Sequence, residues 1–408
     1  MSPPSPKMLL VFCDGTGADG TLTGTEVHAP RQFATNVLRL SRAILQTSAG
    51  DKPKRQIVLY LSGVGSESDF NGNFAGAAPL LQAYGTAVAS KIRDAYAFIA
   101  QNFEVGDEIC IFGFSRGAYT ARKLSGLIDR IGLLEREQLG DFFKIWSALA
   151  KGRHPTIPSG TRQTRIKCVG VWDTVDAVYK FPLTPIKDTL GITDPSLPAS
   201  IDIALHALSL QENRDRFSPT LWEMPKGGWR DNQVIKQVWF PGSHCDVGGG
   251  YEKHDLSDLA LFWMVGEIKS FINIDTSFIE KIAQPQPDPW GAAQPGNGYV
   301  ELVGDLKRFI QPQTRLQGGA IKPGMVFHES ILYAPTTLTR PQYMLTLDTL
   351  KQAFGTSWKP TIAPLNEFEQ YCKDKWGKQS KRKANRNHGI FEKVPESVTF
   401  ESVSDLFP

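Results

Sequence analysis

The chain has 408 residues, 41% of them hydrophobic, with a net charge of +3. It is long enough to bury a large core, and its charge balance gives no strong global attraction to nucleic acid or to an anionic membrane. No apolar run reaches the length of a membrane span, and residues 1–7, Met-Ser-Pro-Pro-Ser-Pro-Lys, do not read as a signal peptide. Five cysteines, an odd count without framework spacing, read as reduced thiols and predict a cytoplasmic setting.

Taken in order, residues 7–13 read as a first strand ending in Asp14-Gly15-Thr16-Gly17. A helix is expected over 33–45, with apolar residues at Val37, Leu38, Leu40, Ile44 and Leu45. A second strand, 56–61, ends in Ser62-Gly63-Val64-Gly65, and a Gly- and Ala-rich loop leads to a helix over 87–102. Residues 109–112 are a short apolar run suited to a third, buried strand, and Ala121, Leu124, Ile128 and Ile131 then repeat at helical spacing. This alternation predicts an α/β fold with a mostly parallel sheet covered by helices on both faces. Residues 133–158 read as a helical excursion and 165–172 as a fourth strand running into Asp173-Thr174-Val175-Asp176. Residues 180–200 look like a cap insertion, 201–211 like a short helix, and 214–233 are irregular. A fifth strand, 234–240, precedes Pro241-Gly-Ser-His-Cys-Asp-Val-Gly-Gly-Gly-Tyr251. A helix over 255–271, a linker over 284–297, a helix over 366–376 with Asn366 as N-cap, and a basic polar run over 373–388 complete the chain.

Between the third strand and its helix lies Gly113-Phe-Ser-Arg-Gly117, a Gly-x-Ser-x-Gly pentapeptide. In a nucleophile elbow this pattern lifts a serine hydroxyl above the sheet, and a Cβ at either glycine would collide with the neighbouring strand or helix. A serine used this way needs a base for its proton and an acid to hold that base in one tautomer. Asp173 and His244 follow later strand ends in the expected order, so three strand ends present Ser115, Asp173 and His244 on one sheet edge. Asp173 has an alternative role as a helix N-cap, and Asp176 is a rival acid. His206 reads as a residue of the helix over 201–211, His254 as a helix-capping residue, and His328 as the serious rival base. Asp246 is a supporting partner for His244, since His244-x-Asp246 lacks a third ligand at metal spacing. For the oxyanion, the Arg116 amide is one donor. The other is expected from Gly15 or Thr16 held by Asp14, with Gly63-Val64-Gly65 as the competing loop. An aspartyl-phosphatase reading of the first strand end fails because Phe12 stands where its nucleophilic Asp would be.

Phe12-Cys-Asp-Gly-Thr16, Ser62-Gly-Val-Gly65, Gly113-Phe-Ser-Arg-Gly-Ala-Tyr119, Gly170-Val-Trp-Asp-Thr-Val175 and Gly242-Ser-His-Cys-Asp-Val-Gly-Gly-Gly-Tyr251 together resemble the DUF2235 family. That family includes the catalytic domain of one class of type VI secretion phospholipase effectors and many fungal stand-alone proteins, which this chain resembles more. The resemblance spans roughly residues 8–335. It implies an α/β-hydrolase fold, a triad on Ser115, Asp173 and His244, and lipolytic or general esterase activity. The expected organisation is therefore a catalytic domain over 1–335, with cap insertions near 133–160, 180–200 and 211–233, and a C-terminal extension over 336–408 packed on it. The expected reaction is carboxylic ester hydrolysis through an acyl-enzyme, with no metal or organic cofactor. A thioester or amide substrate, or a non-catalytic binding module, are the alternatives. The substrate class is a small-molecule or lipid ester, and nucleic acid is not expected as a partner. Seven Lys or Arg and one Asp between Lys373 and Arg386 offer a weak membrane-surface contact.

Overall fold

The computed structural model describes residues 5–20, 33–48, 53–64, 80–175, 196–223, 228, 230–302, 307–308 and 310–377. Eight strands form one sheet in the order β2-β1-β3-β4-β5-β6-β7-β8. They are β1 (Lys7–Cys13), β2 (Arg55–Leu61), β3 (Glu108–Phe114), β4 (Ile166–Trp172), β5 (Ile201–Ser209), β6 (Val234–Phe240), β7 (Val326–His328) and β8 (Thr361–Ala363). Every neighbouring pair is parallel. The fold is α/β-hydrolase-like, with helices on both faces of the sheet.

The central strands β1, β3 and β4 are apolar at nearly every position because both faces are covered. Side chains alternate between the two faces with period two. Leu9, Val11, Ile109, Ile111, Val169 and Val171 pack on one side against α2 (Leu80–Asn102) and α3 (Arg116–Ile131). Met8, Leu10, Phe12, Cys110, Phe112 and Cys168 pack on the other against α1 (Asn36–Ala43), α6 (Asp255–Ile268) and α9 (Glu367–Lys375). Helix α6 is buried almost all round, since it lies under α9 as well as against the sheet. Three shorter helices, α4 (Phe142–Ala150), α5 (His244–Gly248) and α7 (Thr276–Lys281), and a fourth, α8 (Leu347–Phe354), complete the set among the described residues.

The stretch 201–211 corrects the sequence reading. It is strand β5, paired in parallel with β4 and β6, and not a helix. Its run Ile-Asp-Ile-Ala-Leu-His-Ala-Leu-Ser is apolar on both faces because β5 lies inside the sheet, and such a run carries no period that separates strand from helix. His244 therefore follows the sixth strand, not the fifth. Helix α1 starts at Asn36, where Thr35 caps it, and not at 33. The stretch 284–297 is irregular, but Trp290, Ala293 and Asn297 are buried, so it is packed coil and no domain linker. Residues 361–363 add the eighth strand to the sheet. Asn366 caps α9, accepting from the Glu369 amide. Among the described residues, no helix is long and apolar enough to cross a membrane. Asp176, Gly65, most of the insertion over 180–200, Trp229 and the basic run beyond 377 lie outside the described residues.

Candidate active site

Strand β3 ends at Phe114 and α3 begins at Arg116, so Ser115 makes the whole turn between them. It does so at φ 58 and ψ −125, a conformation that costs a non-glycine residue energy. Its N–H donates to the Trp172 carbonyl on β4 at 3.1 Å, which ties the turn to the sheet. The elbow glycines act as the pentapeptide requires. A Cβ on Gly117 would overlap the Cys13 and Asp14 carbonyls at the end of β1, and one on Gly113 would overlap the Gly117 carbonyl.

Asp173 leaves β4 at φ 36 and is fully buried. Its N–H donates to the Ala207 carbonyl of β5 at 2.7 Å. Its Oδ2 accepts from His244 Nδ1 at 2.6 Å and from Arg315 Nη2 at 2.8 Å. Its Oδ1 accepts from the Ser209 N–H at 3.1 Å and from Arg315 Nη2 at 3.1 Å. Burial pushes this carboxyl up, but Arg315 and then His244 outweigh it and hold it at about 2. The side chain is thus a carboxylate, able only to accept, and Nδ1 of His244 must carry the proton.

His244 opens the short helix α5. Asp246 builds that turn: its Oδ2 accepts from the Ser243 N–H at 2.8 Å, from Ser243 Oγ at 2.9 Å and from the Gly296 N–H at 2.8 Å. Burial lifts the Asp246 carboxyl to about 6 against these bonds. Asp246 thus shapes the loop carrying the imidazole. The ring itself sits between Phe114, at 4.6 Å, and Phe217, at 5.2 Å edge-on. Phe114 directly precedes Ser115, so the imidazole packs over the elbow. Its Nε2 is buried and has no hydrogen-bond partner among the described residues.

On the other side of the elbow, Asp14 organises the end of β1. Its Oδ1 accepts from the Gly15 N–H at 2.7 Å and from Thr35 Oγ1 at 2.7 Å, and its Oδ2 from the Tyr60 hydroxyl at 2.6 Å. Burial raises its carboxyl to about 6, with the bonds from Tyr60, Thr35 and Gly15 opposing the rise. The Gly15 amide is therefore engaged by Asp14, and the Gly63 amide by the Ala18 carbonyl at 2.9 Å. Thr16 keeps its hydroxyl buried and unpartnered among the described residues.

His328, the rival base, and two further histidines have partners elsewhere. His206 lies on β5, where Nε2 accepts from the Thr174 N–H at 3.1 Å, and burial depresses its pKa to about 3. His254 occupies the N-cap position of α6 and directs Nδ1 to Asp258 at 2.9 Å. His328 stacks on Phe240 and bonds Glu369 through Nε2 and Ser330 Oγ through Nδ1, each at 2.7 Å. Four contributors escape the sequence reading: Ser209, Glu212, Phe217 and Arg315. Glu212 accepts the His244 N–H at 3.2 Å and pairs with Arg214 at 2.7 Å. Burial raises the Glu212 carboxyl, and Arg214 more than offsets this, leaving it below its ordinary value. Three of the four follow or end the strand misread as a helix, and Arg315 stands where the hydrophobic pattern is weak.

A family model described as the T6SS phospholipase effector Tle1-like catalytic domain matches residues 7–267. The uncharacterized protein YEL023C of Saccharomyces cerevisiae is 28% identical over an alignment of 242 residues that covers 52% of this chain and 32% of that protein. The match thus spans about a third of the yeast relative's length. Among solved structures, an uncharacterized protein from Pseudomonas aeruginosa has a TM-score of 0.39 at 18% identity, covering 65% of this chain and 46% of that one. The Tle1 effector bound to the VgrG spike of the type 6 secretion system has a TM-score of 0.36 at 21% identity, covering 61% of this chain and 52% of that one. The family match takes in more than half of the chain and includes Ser115, Asp173 and His244. The chain belongs to the T6SS Tle1-like phospholipase effector catalytic domain family.

Proposed function

We propose that the chain is a serine hydrolase of carboxylic esters, with a lipid ester of the phospholipid class as its substrate. Ser115 Oγ attacks the acyl carbonyl and forms the acyl-enzyme. His244 Nε2 takes the serine proton and returns it to the leaving alcohol. The same nitrogen then activates the water that frees the acid. Asp173 holds the imidazole in the Nδ1–H tautomer and stabilises the imidazolium as it forms. The Arg116 amide at the start of α3 is one oxyanion donor. Thr16 is the other, since Asp14 already binds the Gly15 amide.

One observation carries the reading. Asp173 meets His244 Nδ1 at 2.6 Å while Nε2 stays buried without a partner among the described residues, on a ring packed against the residue before Ser115. Family membership supports the lipid substrate class. A membrane-surface contact through the basic run has less support at its start. Lys373 pairs with Glu329 at 2.6 Å and Lys375 with Glu280 at 3.2 Å.

The test is labelling with a fluorophosphonate, read by intact mass. We expect one adduct on the native protein and none on Ser115→Ala or His244→Ala. Graded acyl esters and phospholipid vesicles then define the substrate. An unlabelled native protein, with and without detergent micelles, would sink the proposal.

A further inference from the structure

Arg315 lies beyond residues 7–267, where the family match ends, and it is 3% exposed. It comes from a loop fixed to the segment after β5. The Gln313 N–H donates to the Asn213 carbonyl at 2.9 Å, and the Ala320 N–H to the Arg315 carbonyl at 2.9 Å. From there its guanidinium reaches two residues that contact the imidazole, Asp173 and Phe217. Nη2 touches both oxygens of Asp173, at 2.8 and 3.1 Å, and Ser209 Oγ at 3.2 Å. Nη1 donates to the Phe217 carbonyl, and the Phe217 ring stands edge-on to His244 at 5.2 Å. Arg315 is thus joined both to the acid and to the residue that supplies one aromatic wall of the base.

We propose that Arg315 is a positioning residue for the acid–base pair, acting on the reaction through Asp173. The proposal rests on the triad reading above. A carboxylate with no exposure to water needs a fixed cation to stay ionised and fixed donors to stay aimed. The Ser209 N–H and Arg315 leave Oδ2 directed at Nδ1. The cation also has an opposing effect. It shares the negative charge that would otherwise stabilise the imidazolium. Other charges face His244. Glu212 lies against its backbone, balanced by Arg214, and Asp246 sits on the same helix. His206, coupled to Asp173 and Arg122, stays neutral through burial.

A double-mutant cycle with a pH profile separates this role from a purely structural one. In folded Arg315→Met, kcat on a chromogenic acyl ester should fall about 10- to 100-fold with KM within about twofold. The acid limb of kcat/KM should move up by about one pH unit, since Asp173 no longer shares its charge. Arg315→Lys should lose rate and leave the limb in place. In the Asp173→Asn background, Arg315→Met should change kcat by less than about threefold. Equal losses in both backgrounds would overturn the proposal, as would native kcat and an unmoved limb in Arg315→Met. If Arg315→Met does not fold, Arg315→Lys decides: a tenfold or larger loss of kcat supports the role, and native kcat refutes it. A native protein that fluorophosphonate does not label sinks the triad and this proposal together. A labelled native protein with an indifferent Arg315 sinks this proposal alone.

Discussion

Four non-glycine residues among those described have positive φ, and Ser115 and Asp173 are two of them. The backbone is strained at both the proposed nucleophile and its proposed acid, each at the residue that leaves a strand. Neighbouring strands hold the two turns: the Trp172 carbonyl binds the Ser115 N–H, and the Ala207 carbonyl binds that of Asp173. At the same scale, Asp246 makes a prediction about pH. Its carboxyl stands at about 6 when folded, against an ordinary 3.8. The folded state therefore binds a proton between roughly pH 4 and 6 that the unfolded state has lost. The associated stability is full below the ordinary value and is lost as pH rises through 6. Asp14 acts in the same direction. Asp173 acts in the opposite direction but over a lower window, between about 2 and 3.8. In Asp246→Asn the amide oxygen can still accept from Ser243 and Gly296. The variant should thus lie within about 1 kcal/mol of the native protein at pH 7. Its unfolding free energy should change less steeply from pH 4.5 to 6.5 in denaturant titrations. An unchanged slope would show that Asp246 is not the group taking up the proton.

At the scale of elements, the sheet edge assembles the site from loops that the chain separates widely. The end of β1 carries Asp14, β3 carries Ser115, β4 carries Asp173, and β6 leads to His244. A second Ser-His-carboxylate set, Ser330, His328 and Glu369, joins β7 to α9. All three residues are fully buried, and each His328 nitrogen already has a partner. That set fastens an element and has no access for substrate. His328→Gln should therefore lower stability by about 1–3 kcal/mol, the cost of stranding a buried partner. Fluorophosphonate labelling per folded molecule should remain at the native rate. A labelling defect in folded protein would return His328 to the catalytic account.

At the scale of the molecule, the sheet does not end with the family match at residue 267. Strands β7 and β8, helix α9 and the Arg315 loop all follow it. Phe368 and Cys372 of α9 lie in the core with Trp263 of α6, and Asn366 Nδ2 donates to the Trp263 carbonyl at 3.1 Å. A chain cut after 335 would lose β8 and α9, uncover α6, and leave His328 without Glu369. It should bind a hydrophobic dye and unfold without a sharp transition, even though it retains Ser115, Asp173 and His244. A cooperative melt from that fragment would show that residues 336–377 are dispensable to the fold.

The sequence by itself determined the alternation of strands and helices as far as residue 172, the strand-to-helix turn at Ser115 with the glycines it needs, and the chain order of the proposed serine, acid and histidine. These are local properties: a buried parallel strand is a run of apolar residues, and a strand-to-helix turn around a serine has few backbone solutions. The tertiary structure alone decided the rest. Residues 201–209 are equally apolar as strand or helix, and only β4 and β6 on either side make them β5. Whether Gly15 or Thr16 is open to an oxyanion depends on where the Asp14 side chain turns. That His244 meets Asp173 while His328 meets Glu369 is likewise a matter of the folded chain. Arg315 reaches Asp173 across 142 residues of sequence, and no local pattern marks it. Its role comes from desolvation: a carboxylate enclosed by the sheet has to be met by a cation, and only the folded chain shows which one arrives.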